Sequence, residues 1–200
     1  MLFDTKTILL AVLVGASFLN QSCITSVDRG VELSHTPHQD KNYYPQYMAA
    51  TRGVDVIQNF VLKYRVHASY LYPEFRTAIA KRLQDLYLQD TSGAFTEAGG
   101  KSAFIMTVYS IDTDSADLAN TNHWTVLLDS KEGPIRPVLI KKIADKRRWQ
   151  NFFETMSPWS VDYLVVFDVP AANPGDAQLV EKPHAKLMIA NADSKVQMDW

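Results

Sequence analysis

The sequence predicts a mainly β protein of the α+β class. The expected architecture is an antiparallel β-sandwich of the immunoglobulin kind, with one long helix and short helical insertions. Three observations predict it. Short segments in which apolar and polar residues alternate recur over residues 60–200, the pattern of strands with one wet face. One segment alone, opening at Pro73, carries a long helical stripe. The regular helix–strand alternation of a doubly wound parallel sheet is missing.

Taken in order, Leu62, Tyr64, Val66, Ala68 and Tyr70 alternate with Lys63, Arg65, His67 and Ser69, which reads as a strand. A helical reading through Ile57, Val61, Tyr64, Ala68 and Leu71 competes with it. Pro73 then sits at the favoured first-turn position of a helix, with Glu74 at the positive end of the dipole. Phe75, Ile79, Leu83 and Leu86 form its apolar stripe, and the polar stretch 90–101 ends it. Residues 103–110 are rich in apolar and β-branched types and read as a strand. Trp124, Val126 and Leu128 alternate with Thr125, Leu127 and Asp129 in another. Gly133-Pro134 marks a turn, 138–143 a strand, and 146–156 a short helix. Residues 163–169 are nearly all apolar, so this strand is expected at the centre, buried on both faces, with Val165 and Phe167 in the core. Segments 187–190 and 196–200 flank Asn191-Ala192-Asp193 as a hairpin.

Composition agrees with one globular domain. Of 200 residues, 46% are apolar and 11% aromatic, enough for a real core. A net charge of −2 gives no electrostatic case for nucleic acid. The single cysteine excludes an intramolecular disulfide and any multi-cysteine zinc site.

The N-terminal segment is the most specific. Residues 8–19 form an apolar run of twelve, the size of a signal-peptide core and too short to span a bilayer. The free amine and Lys6 outweigh Asp4 before it. The run leads into Asn20-Gln21-Ser22-Cys23, and a cysteine directly after a small residue at this place resembles the lipobox of bacterial lipoproteins. The box is degenerate: Leu19 stands one residue before the usual leucine position, which Asn20 occupies. The resemblance covers about the first tenth of the chain. It implies cleavage before Cys23, a diacylglycerol on its sulfur with acyl chains such as palmitate, and a lipid-anchored place in the cell envelope. In enteric lipoproteins an Asp after the cysteine favours the inner membrane; Ile24 points instead to the outer membrane, facing the periplasm. The alternative is ordinary secretion with cleavage after Ser17. On the lipoprotein reading, 1–22 is a signal peptide and 23–51 a lipid-anchored tether, with Tyr43, Tyr44 and Tyr47 placed to dock onto the domain. Residues 52–200 are then a single globular domain.

Catalytic spacing is scarce. There is no phosphate loop, GxGxxG, GxSxG or HExxH. His35 and His38 lie three apart, fewer ligands than a zinc site needs. The loop holding Asp112, Asp114 and Asp117 offers candidate calcium ligands, although Ala116 and Asp117 stand where an EF-hand has an oxygen donor and a glycine. The competing reading is a turn that caps its own backbone. Six bases against Asp145 fill 136–148, and large aromatics follow. Lys146, Arg148, Trp149 and Phe152 are therefore a candidate contact surface for an envelope protein or anionic headgroups, set against a reading as soluble edge plus core rings. No cofactor is expected. The expected function is a lipid-anchored envelope protein, non-catalytic, that binds or builds; the alternative is an envelope hydrolase whose residues converge only in the fold. A groove of aromatics rimmed by charge favours the first. A concave pocket with titratable groups in hydrogen-bond reach favours the second.

Overall fold

The computed structural model describes residues 36–87, 95–112, 114–130, 133–172 and 185–200. The signal-peptide and lipobox readings, Cys23 among them, lie outside these residues, as does His35. Nine strands occur among the described residues: β1 (Thr51–Gln58), β2 (Val61–Tyr70), β3 (Lys101–Ser110), β4 (Thr125–Ser130), β5 (Gly133–Ile135), β6 (Leu139–Lys142), β7 (Val161–Pro170), β8 (Lys186–Ala190) and β9 (Lys195–Asp199). They form a five-stranded sheet, β1-β2-β3-β7-β6, and a four-stranded sheet, β5-β4-β8-β9, with every pairing antiparallel. The class is thus an antiparallel β-sandwich with helices. Its strand order is not the ABED/CFG order of an immunoglobulin constant domain, because the first three strands form a meander within one sheet.

Register explains the layers. Along β2, Tyr64, Val66, Ala68 and Tyr70 lie opposite Ser110, Val108, Met106 and Phe104 of β3, and Met106 and Phe104 lie opposite Tyr163 and Val165 of β7. This buried face meets Val126, Leu128, Leu187, Ile189, Val196 and Met198 of the smaller sheet. Rings cross the gap, Tyr64 to Trp124 at 5.1 Å and Phe104 to Trp200 at 5.2 Å between centroids. The opposite face of the larger sheet is buried too, through Ala103, Ile105, Thr107, Asp162, Leu164 and Val166. Three helices, α1 (Tyr44–Ala50), α2 (Pro73–Tyr87) and the single turn α3 (Lys146–Trp149), supply this side of the core with the segment 150–160. Phe75 of α2 meets Tyr43, Tyr47 and Phe153 ring to ring, and Thr107 reaches Thr155 at 3.4 Å. Burial on both faces is why 163–167 shows no polar alternation; Val165 and Phe167 are both 0% exposed. The smaller sheet is one-sided: Val196 and Met198 are buried between exposed Lys195, Gln197 and Asp199.

Residues 36–50 belong to this core rather than to a tether. Tyr43 and Tyr47, four apart on one helical face, are 2% exposed and bury their rings against α2. Asp40 accepts the N–H groups of Asn42 and Tyr43 and pairs with Arg82 of α2 at 2.6 Å. Arg82 is itself buried, donates to the Asn151 carbonyl and lies over the rings of Tyr43 and Phe152. Burial opposes ionisation of Asp40, but the hydrogen bonds from Tyr43, Arg82 and Asn42 outweigh it and lower its pKa.

Candidate binding cleft

On the helical side, part of β1–β3 stays uncovered and floors an open cleft of about 950 Å³. Two rungs of the sheet make the floor: Gly53, His67 and Thr107 in one, Asp55, Arg65 and Tyr109 in the next. Strand alternation turns all of them to the same face. Tyr44, Tyr47 and Met48 of α1 form one wall, and Glu154, Thr155, Ser157 and Trp159 the other.

The floor is polar and ordered. Arg65 forks onto Asp55, with Nε to Oδ1 at 2.7 Å and Nη2 to Oδ2 at 2.8 Å. That bidentate bond holds the Asp55 carboxyl below its usual range and raises the guanidinium. Both groups are well exposed, so the pair orders the floor more than it stabilises the fold. Burial pushes the His67 imidazole down, and the charge of Arg65 adds to this, with Asp55 opposing. The ring lies against Gly53: a Cβ at 53 would stand 2.3 Å from Cδ2 of His67, so only glycine admits it there. Burial raises the Tyr47 phenol, with the neighbouring Thr155 acting against it.

The second wall is pinned from behind. Asp162 is fully buried, takes a hydrogen bond from Ser160 Oγ at 2.9 Å and pairs with Lys146 at 3.3 Å; Lys146 also donates to the Ser160 carbonyl. The N–H groups of Trp159 and Ser160 donate to Ser157 Oγ. Trp159 is thereby held at the rim with 75% of its surface exposed. Nearby, Glu154 accepts the His38 N–H at 3.1 Å and contacts its Nδ1 at 3.0 Å.

Of the four residues expected to form a contact surface, Trp149 touches both Arg148 and Phe152, the latter at 5.5 Å between ring centroids, but the four do not share one exposed face. Phe152 is 0% exposed and accepts the Tyr43 hydroxyl on its carbonyl, so it is core. Lys146 is turned inward to Asp162. Trp149 is half-buried and stacked on Phe95 at 4.5 Å, and Arg148 lies over Trp149 and Tyr87. The exposed ring of the segment is Trp159, which local pattern did not separate from its neighbours. In the acidic loop, Asp117 accepts the Tyr163 hydroxyl at 2.9 Å and the Ala119 N–H at 3.1 Å, while the Asp112 carbonyl accepts Ser115 Oγ. The Asp114 side chain lies outside the described residues. Among those described, no three potential metal ligands gather. The loop's side chains cap its own backbone and anchor Tyr163.

Sequence reading placed Arg65 and His67 on the wet face of a strand but did not pair them with Gly53 and Asp55. Fold and site together define a β-sandwich with a third, helical layer and an aromatic-walled cleft on that side. Compared with known proteins, the chain matches no family model, no curated protein and no solved structure.

Proposed function

We propose that the chain is a lipid-anchored, non-catalytic binding module of the cell envelope, and that its cleft takes a segment of glycan. One observation carries the reading: an exposed Trp159 ring on a pinned rim, above a floor built on the forked Asp55–Arg65 pair. A sugar ring offers an apolar C–H face to such an aromatic and hydroxyls to such a fork. The cleft is open and extended, which suits a chain better than a small enclosed molecule. The cleft does hold titratable groups in hydrogen-bond reach, Asp55 with Arg65, but their chemistry gives the hydrolase alternative less support. Asp55 is held ionised by Arg65 and is a poor proton donor. Among the described residues, no hydroxyl is hydrogen-bonded to the ring of His38 or His67. No helix among the described residues is long and apolar enough to cross a membrane.

Calorimetric titration with a soluble oligosaccharide of N-acetylated hexoses tests the cleft. Trp159→Ala is expected to weaken binding about tenfold, roughly 1.4 kcal/mol, with the thermal midpoint unchanged. Equal affinity of the two proteins removes the cleft from the reading, and release of reducing ends over time makes it a hydrolase. Cys23→Ala is expected to stop incorporation of labelled fatty acid; continued labelling refutes the anchor.

A further inference from the structure

The β1–β2 hairpin turns on two residues, Asn59 and Phe60, with Gln58 paired to Val61 across it. Both turn residues lie in the left-handed region, at φ 50° and 63°. Asparagine tolerates that conformation, and the turn type asks for glycine in the second place. Phenylalanine there is strained, and its ring gives the fold nothing in return, being 104% exposed. Ile57 is 62%, Val61 46% and Ile111 70% exposed. Ile111 follows Ser110, which pairs with Tyr64, so β3 delivers it to the same end of the sheet. Among the described residues, four of the seven exposed large apolar side chains gather at this one end.

We propose that this hairpin tip seats in the surface of a lipid bilayer. A protein partner needs roughly 800 Å² on each side of a stable interface. The Phe60 ring supplies about 200 Å², and a tip that is convex adds little matched area around it. Lipid needs no matched surface, only apolar side chains that leave water. Lys63, exposed two residues beyond Val61, lies within reach of headgroup phosphates, while exposed Asp112 beside Ile111 keeps the seat shallow. A shallow seat also leaves the turn's backbone groups at the hydrated headgroup level. The inference depends on neither the glycan cleft nor Cys23.

The test uses the full chain with Cys23→Ala, which removes both the proposed anchor and the native thiol. Val61→Cys then carries an environment-sensitive dye, and the protein is mixed with vesicles of phosphatidylethanolamine and phosphatidylglycerol. The dye is expected to shift to the blue and to be quenched by lipids spin-labelled near the headgroup. Adding Phe60→Asp abolishes both effects, and the same dye at Gln84→Cys in α2 shows neither. Phe60→Gly is expected to lose the shift while keeping or raising the thermal midpoint, because the strain goes with the ring. An unchanged dye at Val61, a shift that survives Phe60→Asp, or an equal shift at Gln84 overturns the proposal. Glycan binding by the Phe60→Asp chain is measured in parallel and is expected to be intact, so failure of the cleft reading is seen separately.

Discussion

The His67 ring sits where any side chain on residue 53 would stand, and this contact sets the shape of the cleft floor. Gly53→Ala forces the imidazole to turn away. Because the obstruction is a side chain that can rotate, the cost is expected at the low end for overpacking, ~1 kcal/mol in urea unfolding. With His67→Ala added, the second substitution removes the collision, so the two losses fall short of additive; full additivity rejects the contact. His67 also has a pH signature. Its folded pKa lies below the unfolded value, near 6.5, so the folded state binds fewer protons than the unfolded one. The stability it confers is complete above about pH 6.5 and is lost as pH falls from there towards the folded pKa. Urea midpoints of wild type are expected to drop across that window more than those of His67→Gln, and parallel curves argue against it. The alternation of β2 already placed His67 and Arg65 on a wet face. Their partners escaped because Gly53 and Asp55 are types that strands disfavour, next to an apolar series from Ile57 that also fits a helix.

Elements covered on both faces were the legible ones. β7 reads as an unbroken apolar run because the smaller sheet lies on one side of it and the helical layer on the other. Phe167→Ala is expected to cost about 3–5 kcal/mol, measured by denaturant unfolding, since the ring is wholly enclosed. A loss under ~1 kcal/mol contradicts that enclosure. α2 was equally clear from its stripe, in which Phe75, Ile79 and Leu83 are indeed the buried positions. α1 was not, because seven residues are too few to show a period and it is held by two tyrosine rings. The basic segment misled for another reason. Charge density along a sequence reports solvent only when each charge lacks a distant partner, and Lys146 finds the buried carboxylate of Asp162 from across the fold.

At the scale of the molecule, β5 and β6 border different sheets; Gly133-Pro134 reads locally as a turn, yet it opens β5 on the edge of the smaller sheet. Two short edge strands in succession carry no mark of which layer receives them, so sheet membership was beyond sequence reading. The same scale governs where the domain starts. A chain beginning at residue 36 gives the reference thermal midpoint. One beginning at residue 51 lacks Asp40, Tyr43 and Tyr47, and so loses the Asp40–Arg82 ion pair and the tyrosine rings packed on α2. It is expected to lose cooperative melting by circular dichroism; a sharp transition at the reference midpoint shows that 36–50 is dispensable.

The position of β3 between β2 and β7 has a bearing on how the molecule is made. As the chain is synthesised, β3 can pair at once with β2, but its other edge waits until β4, β5 and β6 have been added and β7 follows. Closing so long a loop is slow, since its entropy is lost before the contact is gained. Throughout that interval a strand that is apolar on both sides presents an open row of backbone donors and acceptors. Refolding at high concentration is thus expected to lose material by pairing of β3 between nascent copies. The strand at the centre of the finished core is, before completion, the one most open to a second unfinished chain.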